Sequence, residues 1–176
     1  MAAPRPGQVL VAEKEIAARV AELGRAIARD YADGTLVLVG VLQGAIPFIA
    51  DLMRALPIDV TVDFLRASSY GGGTTSSGAV RLVADLSVDV ADRHVLVVDD
   101  IVDTGHTLAA LKRTLEARRP RSVKTCVLLD KTGRRETEVQ IDYVGFTIPN
   151  VFVVGYGLDY DGLYRNLPHV ATLEEI

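Results

Sequence analysis

A chain of 176 residues, 49% hydrophobic and 24% charged, has the length and balance of one soluble globular domain with a sizeable core. Its net charge of -4 argues against a broad nucleic-acid or membrane-binding surface, while leaving room for a local basic pocket. The one cysteine, Cys126, excludes an internal disulfide; in the apolar run VKTCVLL it is expected to be buried, and it fits a reducing cytoplasm.

The first eight residues, MAAPRPGQ, have no apolar h-region and read as a loose tail. From Glu13 to Tyr31 the apolar residues Ile16, Val20, Leu23 and Ile27 recur at helical spacing, and Asp33-Gly34 breaks the pattern. TLVLVGV, 35–41, is continuous, apolar and β-branched, which predicts a buried strand. Gln43-Gly44 turns the chain, a helix follows over 47–55, and Pro57 stops it. IDVTVDFLRA, 58–67, alternates like a strand. The stretch SSYGGGTTSSG then gives way to a further strand candidate, AVRLVADL. HVLVVDD is the next buried strand, Leu108, Leu111 and Leu115 mark a helix, and SVKTCVLLD, 122–130, is another strand. Short strands around DYVGF and VFVVGY precede a C-terminal region rich in turns. The longest apolar runs fall far below the ~20 residues needed to span a bilayer.

This alternation of strand and helix predicts βαβ units and a mostly parallel sheet. Ligands in such sheets bind beyond the carboxyl ends of the strands. Those ends are Leu42-Gln43-Gly44, Asp99-Asp100 and Asp130-Lys131, so polar residues from distant parts of the chain should meet at one edge.

The segment VVDDIVDTGHTL, 97–108, carries the chemistry. A single aspartate before a helix reads as a cap, but Asp99, Asp100 and Asp103 together repel one another. Such carboxylates chelate Mg²⁺ or accept hydrogen bonds from sugar hydroxyls. In the second half, Gly105 admits close ligand approach, Thr104 and Thr107 offer hydroxyls, and a helix starting near His106 directs free N–H groups into the same space. That is a phosphate cradle without the lysine of a P-loop, and no G-x-x-x-x-G-K-[ST] or G-x-G-x-x-G occurs. A sugar phosphate fits both halves.

Two hydrophobic residues, two acidic residues, then Asp-Thr-Gly and a threonine resemble the phosphoribosyl-pyrophosphate motif of type I phosphoribosyltransferases. VLQGAIPF resembles the pyrophosphate loop, and SSYGGGTTSSG the mobile catalytic loop, of the hypoxanthine-guanine branch of that family. LLDKTGRR and DYVGFTIPNVFVVGYGLDYDGLYRNLPHV resemble its purine-recognition and base-binding regions. The likeness spans roughly residues 9–173. It implies an α/β fold: a mostly parallel twisted sheet flanked by helices, with a small hood built from the N- and C-terminal segments. One domain, 1–176, is expected, with a mobile loop at 68–79.

The activity implied is Mg²⁺-dependent transfer of 5-phosphoribosyl from phosphoribosyl pyrophosphate to N9 of hypoxanthine or guanine, giving IMP or GMP and pyrophosphate in purine salvage. By resemblance Asp103 takes the N7 proton as general base. Asp99 and Asp100 hold the ribose and one Mg²⁺, and Thr104, Gly105, His106 and Thr107 bind the 5-phosphate. Gln43, Gly44, Arg165, Ser69 and Tyr70 are assigned to pyrophosphate. Lys131, Tyr143, Val144 and Asp159 are assigned to the purine: Lys131 donates to O6, Tyr143 stacks, the Val144 backbone reads the base edge, and Asp159 also binds the second metal ion. Two residues depart from the family pattern. Asp99 is one methylene shorter than the glutamate often found there, and Gln43 stands where a basic residue is common.

The expected partners are the two substrates, in a cytoplasmic homodimer or homotetramer, with no nucleic acid or membrane. Two rival readings share the fold: a phosphoribosyltransferase preferring xanthine or another base, and a non-catalytic regulator that senses phosphoribosyl pyrophosphate. Lys131 and the DYVGF stretch favour a 6-oxopurine, and Asp103 with a lid favours catalysis.

Overall fold

The computed structural model describes residues 4–32, 34–69 and 80–174. The chain runs β1 (Arg5–Val11), α1 (Glu13–Asp30), β2 (Leu36–Val41), α2 (Ile46–Ala55), β3 (Val60–Ser69) and β4 (Val80–Ala84). It continues β5 (His94–Val102), α3 (His106–Glu116), β6 (Ser122–Lys131), β7 (Tyr143–Ile148), β8 (Val153–Val154) and β9 (Val170–Glu174).

Six strands form the main sheet in the order β4-β3-β2-β5-β6-β7, parallel throughout except for the antiparallel edge strand β4. β2, β5 and β6 bury both faces, as their unbroken apolar sequences predict. Alternation within them sorts the core into two layers. Leu36, Leu38, Leu96 and Val98 face α1 and α2, where Ile16, Leu23, Ile27, Phe48 and Leu52 complete the layer. Val37, Val39, Val95 and Val97 face the opposite way and meet Leu108, Leu111 and Leu115 of α3. The helices therefore hold the sheet from both sides and leave the carboxyl ends of its strands free for a site.

A separate three-stranded sheet, β1-β9-β8, is antiparallel and joins the two ends of the chain, forming the expected hood. The loose tail expected over 1–8 is a correction to make: the strand begins at Arg5, which pairs with Glu174. Pro4 is held too, its carbonyl accepting from the Tyr164 hydroxyl at 2.7 Å. The turn-rich C-terminal region likewise contains β9, whose five residues form the middle strand of the hood. Of the loop expected over 68–79, Ser68 and Ser69 end β3, and 70–79, with Tyr70, lie outside the described residues.

Gly24 lies inside α1 against α2, and a Cβ there would stand 2.5 Å from the Ala55 carbonyl oxygen. Alanine favours a helix interior by about 1 kcal/mol over glycine, but overpacking against a fixed backbone costs about 1–3 kcal/mol. Gly24→Ala should therefore lower stability by up to about 2 kcal/mol in a denaturant titration, where propensity alone predicts a gain.

Candidate active site

The central strand β5 positions the site. It pairs with β2 on one side and β6 on the other, so the segments leaving all three strands converge. Asp99 and Asp100 lie near the carboxyl end of β5, which runs on to Val102, and the chain then turns through Asp103-Thr104-Gly105 into α3. The N-cap is Gly105, in the left-handed region at φ 87°, and it has no side chain with which to cap the helix. The first N–H groups of α3 are left to face the cleft, whose lining here includes Asp103, Thr104, Gly105 and Thr107.

Asp99 is buried, and its carboxylate accepts from the Asp100 N–H at 3.0 Å. Burial first, and then the neighbouring Asp100 charge, push its titration well above the usual carboxylate range. Burial raises Asp100 as well, against the opposing pull of Arg165. Gly44 in the β2–α2 turn lies so close that a Cβ would fall on the Asp100 carboxylate. Gln43, Gly44, Asp100, Thr107, Asp159 and Arg165 face one shared hollow. Arg165 donates to the Gly157 carbonyl at 2.6 Å and pairs with Asp159 at 2.7 Å.

A second hollow adjoins the first and is lined by Asp103, Lys131, Phe152, Val153, Leu158 and Asp159, with Arg134 at its rim. Lys131 is buried at the end of β6, and its Nζ lies 3.4 Å from Oδ2 of Asp103. Arg134 approaches the same oxygen at 3.6 Å. The other oxygen, Oδ1, is buried without a hydrogen-bond partner among the described residues. A buried, unpaired carboxylate oxygen beside a buried lysine is costly unless a ligand answers both.

Most of the residues expected to form the site thus meet at one edge: Gln43, Gly44, Asp99, Asp100, Asp103, Thr104, Gly105, Thr107, Lys131, Asp159 and Arg165. Three expectations need correction. Tyr143 starts β7 on the opposite flank, where its hydroxyl donates to Asp30 and its ring lies 5.5 Å from Lys124 Nζ. The Val144 carbonyl is already taken by Arg19 at 2.7 Å, and the next carbonyl, that of Gly145, by the same guanidinium. Neither residue reaches the second hollow. The His106 imidazole also points elsewhere, to Glu136 and Thr137, leaving only its backbone at the cradle. Ser69 ends β3 opposite Val80, and only its backbone is described.

Phe152 and Val153 are the residues that sequence reasoning missed. Phe152 is 54% exposed, a rare state for phenylalanine, and lines the hollow with Val153 beside it. The signal was present as a duplicated pattern, aromatic then valine, at Tyr143-Val144 and again at Phe152-Val153. Only the second occurs where a two-residue strand leaves its aromatic unpacked.

Among the described residues no three His, Cys, Asp or Glu side chains form a ready-made metal cage. The donor set nonetheless suits Mg²⁺, which needs one or two carboxylates and takes its remaining ligands from water and substrate phosphates. Asp99, Asp100 and Asp159 supply oxygen donors only and are the residues that would hold it.

Residues 8–161 match the model of the phosphoribosyl transferase domain, and the chain belongs to that family. It is 49% identical to the hypoxanthine-guanine phosphoribosyltransferase of Mycobacterium avium, over 94% of this chain and 85% of the relative. The Streptococcus pneumoniae strain R6 enzyme of the same name is 47% identical, over 96% of this chain and 93% of the relative. A crystal structure of hypoxanthine-guanine phosphoribosyltransferase from Bacillus anthracis superposes with a TM-score of 0.92 at 40% identity, covering 98% of this chain and all of that one.

Asp99 and Asp100 carry a stability consequence. A carboxyl whose folded pKa is raised favours folding below its unfolded pKa, and that contribution disappears as pH rises through the folded value. In the absence of substrates and metal, Asp99→Asn should therefore raise Tm at pH 7.5, by about 2–4 °C for each kcal/mol relieved in a chain of this size. The gap should close as the pH is lowered into the carboxyl range, as scanning calorimetry across pH will show.

Proposed function

We infer that this protein is a purine-salvage enzyme, transferring 5-phosphoribosyl from phosphoribosyl pyrophosphate to N9 of hypoxanthine or guanine. The observation that carries the reading is the Asp103–Lys131 pair, 3.4 Å apart, between a phosphate cradle and an aromatic-walled hollow. O6 and N7 lie side by side on one edge of a 6-oxopurine. Lys131 donates to O6, and Asp103 faces N7 and takes its proton as N9 forms the new bond. Adenine offers an amino group instead of O6 and leaves Lys131 without an acceptor. Sites built on such a hydrogen bond discriminate by ~10⁴–10⁵.

Phe152 stacks on the base and Val153 presents its backbone to the base edge. Thr104, Gly105, Thr107 and the backbone of His106 hold the 5-phosphate, and Asp99 and Asp100 hold the ribose hydroxyls. Gln43, Gly44 and Arg165 bind pyrophosphate, and Ser69 and Tyr70 are assigned to it by family likeness. When bound, Mg²⁺ neutralises the leaving pyrophosphate; Asp99, Asp100 and Asp159 are the residues that would hold it. A homodimer or homotetramer is proposed on family likeness alone. No helix among the described residues is long and apolar enough to cross a membrane, and the buried free Cys126 fits a cytoplasmic enzyme.

Nucleotide formation from hypoxanthine, guanine, xanthine and adenine, each with phosphoribosyl pyrophosphate and Mg²⁺, tests the reading. IMP and GMP are expected and AMP is not. XMP as the main product would favour the xanthine reading, and tight phosphoribosyl pyrophosphate binding without turnover would favour a regulator. Asp103→Asn should lower kcat by ~10²–10⁴. Phe152→Ala should raise the purine KM about 5- to 100-fold, as loss of one stacking partner does.

Gln43 supplies a neutral donor in the pyrophosphate hollow, so Gln43→Lys should tighten pyrophosphate and lessen the Mg²⁺ dependence of its binding. Equal affinities of the two proteins across a Mg²⁺ titration would sink this expectation.

A further inference from the structure

The loop between β6 and β7 folds back onto the turn that begins α3. The N–H groups of Glu136 and Thr137 both donate to the Thr104 carbonyl, at 2.9 and 3.0 Å. Where they cross, a Cβ on Gly105 would stand 2.5 Å from the Thr137 carbonyl, so the approach requires the glycine. His106 locks the crossing from the helix side. Its Nε2 lies 2.8 Å from the Glu136 carboxylate, and its Nδ1 lies 2.6 Å from the Thr137 hydroxyl. A carboxylate only accepts, so Nε2 donates; the neutral ring's Nδ1 then accepts the hydroxyl proton, and one tautomer satisfies both contacts.

The clasped loop is the one that leaves Lys131. It carries Arg134, 3.6 Å from Asp103, and Arg135, which pairs with Asp130. We propose that His106 is a positioning residue: its imidazole clasps the β6–β7 loop to the 5-phosphate turn, so that the phosphate cradle and the Asp103–Lys131 purine site are held as one unit. The proposal rests on the reading of residues 103–107 as the 5-phosphate site. It makes the His106 side chain act through Thr137 and Glu136, away from the substrate.

Steady-state kinetics with phosphoribosyl pyrophosphate, hypoxanthine and saturating Mg²⁺ test it in His106→Ala, Thr137→Val, the double variant, His106→Gln and Thr107→Val, with Tm recorded for each. Each partly exposed hydrogen bond of this kind is worth about 2- to 10-fold in binding. His106→Ala should raise KM for phosphoribosyl pyrophosphate about 5- to 10-fold with kcat changed less than about twofold. Thr137→Val should raise it about 2- to 4-fold, and the double variant should be no worse than His106→Ala. His106→Gln, whose amide can reach both partners, should restore KM to within about twofold. If Thr107→Val raises KM while His106→Ala leaves it unchanged, or alters Tm alone, the clasp is overturned and the phosphate site stands. Full additivity in the double variant also overturns it. If Thr107→Val leaves KM unchanged as well, the 5-phosphate reading fails and takes the clasp with it.

Discussion

The site is organised by the burial of two adjacent carboxylates at the end of the central strand. β5 is apolar from Val95 through Val98, has a strand on each side, and is covered by helices on both faces, so Asp99 and Asp100 near its carboxyl end have little water to solvate them. Their raised titration is the electrostatic cost of that placement. A fold optimised for stability alone would put neutral residues there. Keeping the charges is sensible for a chain whose ligand brings cations and hydroxyl groups to the same spot.

The frame was legible because its signals are local. Continuous β-branched runs gave the positions of β2, β5 and β6, and the recurrence of Ile16, Val20, Leu23 and Ile27 gave α1. Two of the three hood strands were not, because β1 contains Pro6 and Gly7, and β9 follows a series of turns; β1 is held by pairing with β9, and β9 by pairing with both β1 and β8. Pairing between the two ends of a chain leaves no periodicity in either end. That the ends form a hood came from family likeness, not from their own patterns.

The same distinction runs through the site. Asp99, Asp100 and Asp103 declare themselves by being charged at the end of an apolar run, and Lys131 by ending the next such run. Aromatic residues carry no such mark. Tyr143 and Phe152 are each followed by valine, and what separates them is packing. Tyr143 is buried against Asp30 and Lys124, whereas Phe152 keeps one face open and touches Tyr160 edge-on at 5.9 Å. Likewise Val144 looked available until Arg19, 125 residues earlier in the chain, was seen to occupy its carbonyl. Long-range competition for a polar group is invisible to any local reading.

In the ligand-free cleft, the charges of Asp103, Lys131, Asp159 and Arg165 are each partly answered by another that a substrate could replace. Arg165 holds Asp159, and Lys131 and Arg134 hold Asp103. In the proposed reaction, Asp159 would hold magnesium and Arg165 the pyrophosphate group of the substrate, so each would exchange the other for a new partner of opposite charge. The same holds in the purine hollow, where O6 takes a donor from Lys131 and N7 offers its proton to the carboxylate that Lys131 had been holding. Binding then moves partners instead of stripping charges bare, which keeps desolvation from consuming the affinity. Asp99 and Asp100 are answered least: among the described residues neither forms an ion pair, and the pull of Arg165 on Asp100 does not offset their burial. A cation entering the cleft relieves them further, so they bias the site toward a cation-laden ligand over a bare anion of the same shape.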